Sequence, residues 1–230
     1  MSSTSISEFT RMGISLPVFR EGTWDDGIWG EARTYRVRDF KEKVVVDLGA
    51  HIGGFTTMAA DGGAKRVYAY EAWKENFKIL QSNVDGYENV EAHNCAAWKS
   101  NSPVKNVYFH DDFDQSNTGG GGVFEATGQG LEVRCMGLDD IIRDTGFIDI
   151  LKIDIESSEF PVLFTSARLH MVRAIIGEYH HGRSDCFEDI GGRHWEYNMD
   201  SLKLFLEGHG FHVAVEKFSD DLGKFAAFRI

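Results

Sequence analysis

Basic charge and cysteine are both scarce in this sequence. Twenty-four Lys and Arg residues stand against 36 Asp and Glu among 230, a formal net charge of −12. An acidic chain repels a phosphate backbone, which removes the simplest route to duplex affinity, so no duplex nucleic-acid partner is expected. The three cysteines, Cys95, Cys135 and Cys186, are odd in number, far apart and without metal-ligand or redox spacing, and they read as reduced thiols. Long apolar runs are missing too. No window approaches the roughly 18 residues of a membrane span, and the opening MSSTSISEFTRMG has neither the cationic start nor the apolar stretch of a signal peptide. The expectation is a cytoplasmic protein with no membrane partner. No linker composition divides the chain and no repeat recurs along it, which predicts one α/β domain.

What is present begins with VVVDLGAHIGGF at residues 44–55. Val44, Val45 and Val46 form a β-branched run that suits a strand buried on both faces, and Gly49, Gly53 and Gly54 allow a sharp turn into a helix from Phe55. Further strands read at 66–70, 90–94, 148–153 and 173–177, with Phe77, Leu80 and Val84 on one helical stripe between the second and third. Ser157 and Ser158 open a helix with Pro161 in its first turn. A helix at 201–207 and two strands, 211–218 and 224–230, close the chain as an antiparallel hairpin. This rhythm predicts a Rossmann-like, doubly wound α/β sheet. Residues 104–109 and 131–136 look strand-like around a glycine-bearing segment, 115–130, which is expected to be a loop: a solvated tip or a lid over the pocket.

In such a sheet the pocket forms beyond the carboxyl ends of the strands, here at Asp47, Glu71, Cys95, Asp154 and Glu178. A dinucleotide would need bare backbone where His51 stands, so NAD and FAD are not expected. Glu71 lies 22 residues after Gly49, the place from which a carboxylate grips ribose hydroxyls. A ribose without a pyrophosphate points to S-adenosylmethionine.

The segments VVVDLGAHIGGFT, VYAYEAWKENFKILQSNV, NVEAHNCAAW, LDDII and DILKIDIESSEFPVL together resemble the FkbM family of S-adenosylmethionine-dependent methyltransferases. The resemblance implies seven strands with one antiparallel, a bound methyl donor, and transfer to a hydroxyl of a sugar or natural product. It divides the chain into an N-terminal cap segment, 1–40, and a methyltransferase domain, 41–230, with a Gly-rich insertion near 110–130. Carried over by position, it places Asp47, Gly49 and Gly53 around the methionine part of the donor, with His51 and Phe55 beside them, Glu71 and Ala72 at the ribose, and Cys95 and Ala96 beside the adenine. Two departures stand out. His51 replaces the asparagine of GAN-type members, and ESSE at 156–159 replaces EGAE.

Methyl transfer to a hydroxyl requires alignment and a group to take the proton. Asp154, ending the fourth strand, is the first catalytic candidate, His180 the second and Glu156 a third; Glu156 and Glu159 otherwise shape the pocket, meet a cation or sit as helix N-terminal carboxylates. Alternation sends Glu178 and His180 to one side, Tyr179 and His181 to the other. A divalent metal held by Asp154, Glu178 and His180 is chemically reasonable, although no compact ligand motif calls for it. Trp24, Asp25, Asp26, Trp29, Glu31 and Arg33, and again His194, Trp195 and Tyr197, either cover the core or meet a sugar ring. The leading function is O-methylation of a hydroxylated small molecule or glycan; the alternatives are an RNA or protein methyltransferase and a silent donor-binding module.

Overall fold

The computed structural model describes residues 17–110, 116–124, 130–181 and 186–229. The first sixteen residues, and 111–115 and 125–129 of the expected loop, lie outside them.

A short helix, α1 (Asp25–Glu31), and a 3-10 turn (Ala32–Tyr35) lead into β1 (Val44–Leu48). The chain then alternates through α2 (Gly54–Asp61), β2 (Arg66–Glu71), α3 (Lys74–Asn83) and β3 (Val90–Asn94). Next come β4 (Ala96–Trp98), β5 (Asn106–His110), β6 (Gly122–Phe124), β7 (Leu131–Gly137), α4 (Leu138–Thr145), β8 (Ile148–Ile153) and α5 (Glu159–Phe164). The remainder is β9 (Val172–His180), β10 (Phe187–Ile190), β11 (Arg193–Glu196), α6 (Met199–Gly208), β12 (His212–Lys217) and β13 (Leu222–Phe228).

Seven strands form the main sheet in the order β12-β13-β9-β8-β1-β2-β3. Only β13 runs against the rest, antiparallel to both β9 and β12. The triple valine explains the centre: Val45 and Val46 point to opposite faces and both are fully buried, because helices cover each side. On one side Val45, Val67 and Ile150 pack with Phe40, Phe55 and Ala59; on the other Val46, Leu48 and Leu151 pack with Ile141, Phe160 and Phe164. Burying each such Phe or Leu contributes roughly 1.5–3 kcal/mol.

Two expectations need correcting. The segment expected to be loop contains β6, which pairs with β5 from Tyr108 to His110 and joins a second sheet ordered β4-β7-β5-β6. Its glycines lower strand propensity, but backbone pairing at a sheet edge needs no side chains. The hairpin β10–β11 carries no strong turn signal beyond Gly191 and Gly192 and was not expected either. Helix α5 begins at Glu159, two residues after Ser157, since Glu156 and Ser157 take φ of 52° and 74°, outside the helical region.

Candidate active site

The carboxyl ends of β1, β2, β8 and β9 open into one cleft, with about 870 Å³ of empty volume, part of it open to solvent. His51, Glu71 and Ala72 line it on the β2 side; Cys95, Ala96, Ala97, Phe109 and Val123 give an apolar slot; Asp154, Glu156 and Glu178 line it at β8 and β9, with Gly49 against the backbone of Asp154. Glu71 accepts the backbone N–H of His51 and of Trp73, each at 2.8 Å. Burial pushes its carboxyl up to about 7 in spite of these bonds.

Three predicted donor-site residues stand elsewhere. Asp47 is fully buried below the turn, where its carboxylate accepts from Thr56 Oγ1 at 2.6 Å and faces Lys152 Nζ at 3.3 Å, so it does not reach the cleft. Gly53 is the N-cap of α2 at φ 98°, a left-handed conformation that favours glycine, and a Cβ there would press on the end of the Leu80 side chain in α3 at 2.8 Å. Phe55 packs edge-on against Tyr35 and Phe40 and lines only a smaller hollow that shares Gly49, His51 and Asp154 with the cleft.

A buried network closes the donor end. His51 Nε2 meets Thr118 Oγ1 at 2.9 Å, and Thr118 Oγ1 donates to Asp25 Oδ1 at 2.7 Å. Asp25 also holds the guanidinium of Arg20, which reaches Asn76 Oδ1 at 2.7 Å. The N-terminal segment, the turn after β1, α3 and the Gly-rich insertion therefore meet in one hydrogen-bonded cluster. Burial drives the His51 imidazole down to about 4, so it is neutral near pH 7. Asp25 falls to about 2: burial opposes this, and the bonds from Arg20 prevail.

The other end is ionic. Lys152, 4% exposed, donates to Gly49 O at 2.7 Å and lies 3.7 Å from Asp154. Asp154 Oδ2 accepts from Tyr35 Oη at 2.8 Å. Despite burial, the charge of Lys152 holds the Asp154 carboxyl below its usual range. His180 Nδ1 faces Glu159 Oε1 at 3.3 Å, and its Nε2 lies 3.6 Å from Glu156 and 3.8 Å from Glu178. Burial alone would lower its pKa, yet the bond to Glu159 and the surrounding carboxylates lift it to about 10. Burial raises Glu156 to about 8.

A fold and a strand-end cleft of this kind can be compared with known proteins. The family model described as the methyltransferase FkbM domain matches residues 47–213. The chain belongs to that family. Among solved structures, the N-terminal domain of EvdMO1 with SAH bound is 17% identical, with a TM-score of 0.52 over 87% of this chain and 80% of that one. Another crystal structure, of EvdMO1, also 17% identical, has a TM-score of 0.51 over 97% of this chain and 46% of that one. An rRNA methylase from Streptococcus thermophilus is 11% identical, with a TM-score of 0.48 over 87% and 94%. At such identities the likeness to the two EvdMO1 structures speaks to the fold alone. Among curated proteins no sequence matches the chain.

Of the residues expected to bind the donor or act in catalysis, Gly49, His51, Glu71, Ala72, Cys95, Ala96, Asp154 and Glu156 line the cleft of this FkbM domain. His180 stands behind that wall, against Glu156, Glu159 and Glu178. His181 is structural: its Nε2 accepts the N–H of Met199 at 2.9 Å and its ring packs on Phe160. Trp195 belongs to the core with Phe164 and Phe205, and Trp24 is 58% exposed. Missed altogether were Thr118, Tyr35 and Lys152. Only Lys152 left a signal, as the one basic residue in the buried strand β8.

Proposed function

We propose that this methyltransferase moves a methyl group from S-adenosylmethionine to a hydroxyl of a carbohydrate or other hydroxylated small molecule. The observation that carries the reading is one cleft with Glu71 and an apolar slot at one end and Asp154, Glu156 and Glu178 at the other.

The donor end fits the donor in chemistry. Glu71, whose two oxygens are oriented by backbone N–H groups, can accept from both ribose hydroxyls, and Cys95, Ala96, Ala97 and Val123 offer adenine an apolar slot. When bound, S-adenosylmethionine supplies a methyl group on a positively charged sulfur. The residues of this chain then have to orient the acceptor, exclude water and take up its proton. Asp154 suits the last task by place and charge: Tyr35 and Lys152 fix it as an ionised carboxylate on the cleft wall. Acidic walls favour a neutral, hydroxyl-rich acceptor over a phosphate backbone. The SAH and D-fucose present with the N-terminal domain of EvdMO1 in another crystal structure support the same choice.

The test is to incubate the protein with isotope-labelled donor and a panel of free sugars, glycosides, hydroxylated metabolites, RNA and peptides, and to read the products by mass spectrometry. Label on a hydroxyl of a small molecule is expected; label on RNA or peptide alone would replace the reading. Asp154→Asn is expected to lose about 100- to 10,000-fold in turnover and to keep SAH affinity within about threefold.

A further inference from the structure

We infer that Asp154, Glu178 and His180 form a binding site for a first-row divalent cation, such as Mn2+, at the acceptor end of the cleft. The inference rests on the methyltransferase reading and changes the part of Asp154 within it, from proton acceptor to ligand.

Asp154 follows β8, and Glu178 and His180 share one side of the neighbouring strand β9. One ligand atom from each lies within 4.8 Å of the other two. Ligands about 2.1 Å from an octahedral ion stand about 3.0 Å apart when adjacent and about 4.2 Å when opposite, so closure on an ion draws side chains that are up to 4.8 Å apart together by about 0.6 to 1.8 Å, within reach of small rotamer changes. Two carboxylates and an imidazole are a donor set for Mn2+, Fe2+ or Zn2+.

Each ligand already has a second partner that directs it. Glu159 is fully buried, and its Oε1 takes the Nδ1 side of His180, which leaves Nε2 facing Glu178 Oε2 at 3.8 Å. A carboxylate behind a histidine that points its other nitrogen at a cluster of oxygens is the arrangement that orients metal-bound imidazole. Lys224 meets Glu178 Oε1 at 2.9 Å, so Oε2 is the oxygen turned to the cluster. Tyr35 similarly occupies Asp154 Oδ2. The charge also suits a cation: Asp154 and Glu178 each face one ammonium group, of Lys152 and Lys224, while Glu156 and Glu159 face only His180 among the described cations, and Glu159 Oε2 is buried with no hydrogen-bond partner among the described residues. A cation here, on the wall that also carries Glu156, would bind an acceptor hydroxyl and make its proton easier to lose.

The competing account is that protonated His180 is itself the counterion and no metal enters. To decide, chelator-stripped protein without donor or acceptor is titrated with Mn2+ and followed by loss of the free-ion paramagnetic resonance signal. One saturable site is expected, weakened at least about tenfold in Asp154→Asn and Glu178→Gln. Circular dichroism checks that both variants fold. In the unmodified protein, nitrogen-labelled histidine NMR is expected to show selective paramagnetic broadening of His180 on adding Mn2+. Absence of saturable binding at millimolar Mn2+, or binding without broadening of His180, overturns the inference. SAH binding is measured in parallel by calorimetry: its failure would strike the donor reading, and its success beside absent Mn2+ binding would strike only the metal.

Discussion

With Glu71 on the ribose, as proposed, the donor site is sensitive to pH in a defined direction. Hydroxyls donate to an ionised carboxylate, whereas in the free protein this group is half protonated at about pH 7. Affinity for SAH is therefore expected to climb as pH rises to about 7 and to level off above it, with a proton released on binding below that point. Calorimetry near pH 6 in two buffers of different ionisation enthalpy measures that proton, and a flat affinity across the range would remove Glu71 from the ribose. Glu71→Ala should weaken SAH by about 1.5–3 kcal/mol. A second residue reports on backbone strain. Ser157 holds φ 74° where the ESSE segment departs from EGAE, and a side chain in the left-handed region costs about 1–2 kcal/mol. Part of that gain is offset by the greater freedom of glycine in the unfolded chain, so Ser157→Gly should stabilise by about 0.5–1 kcal/mol in urea melts. Equal or lower stability would show that the turn carries no strain.

At the scale of elements, the hydrogen-bonded cluster around Thr118 joins α1, the turn after β1 and the insertion between β5 and β7. Thr118→Val keeps the shape and leaves Asp25 and His51 short of a partner, which should cost about 1–3 kcal/mol of stability, while Thr118→Ser should cost far less. Equal losses in the two would show that the methyl group matters and the hydroxyl does not. None of this was legible in the sequence, since residues 25, 51, 76 and 118 are brought together by tertiary structure alone. The repeating βα units were legible because Val44–Val46, Arg66–Tyr70 and Ile148–Ile153 are buried strands whose composition follows from their place in the sheet. β6 was hidden for the opposite reason: Gly122 in an edge strand contributes backbone only. Asp47 was misplaced because a strand-end carboxylate looks the same in sequence whether it faces ligand or a buried lysine such as Lys152.

For the molecule as a whole, a formal charge of −12 means self-repulsion that salt relieves. Raising NaCl from about 10 to 200 mM should raise the melting temperature, and no RNA should be retained in filter binding even at the low end. A melting temperature that falls with salt would mean that attractive ion pairs outweigh the excess of acid. The strand order has a separate consequence for how the chain is made. β13, formed by residues 222–228, lies inside the sheet between β9 and β12, both of which precede it. While the chain is still on the ribosome, β9 carries an open edge of unpaired N–H and C=O groups next to β8 until residue 228 has emerged. A chain that stops short of residues 222–228 therefore leaves β9 without its native partner on the side away from β8, which makes β9 the place where an interrupted chain is most exposed to pairing with a stranger.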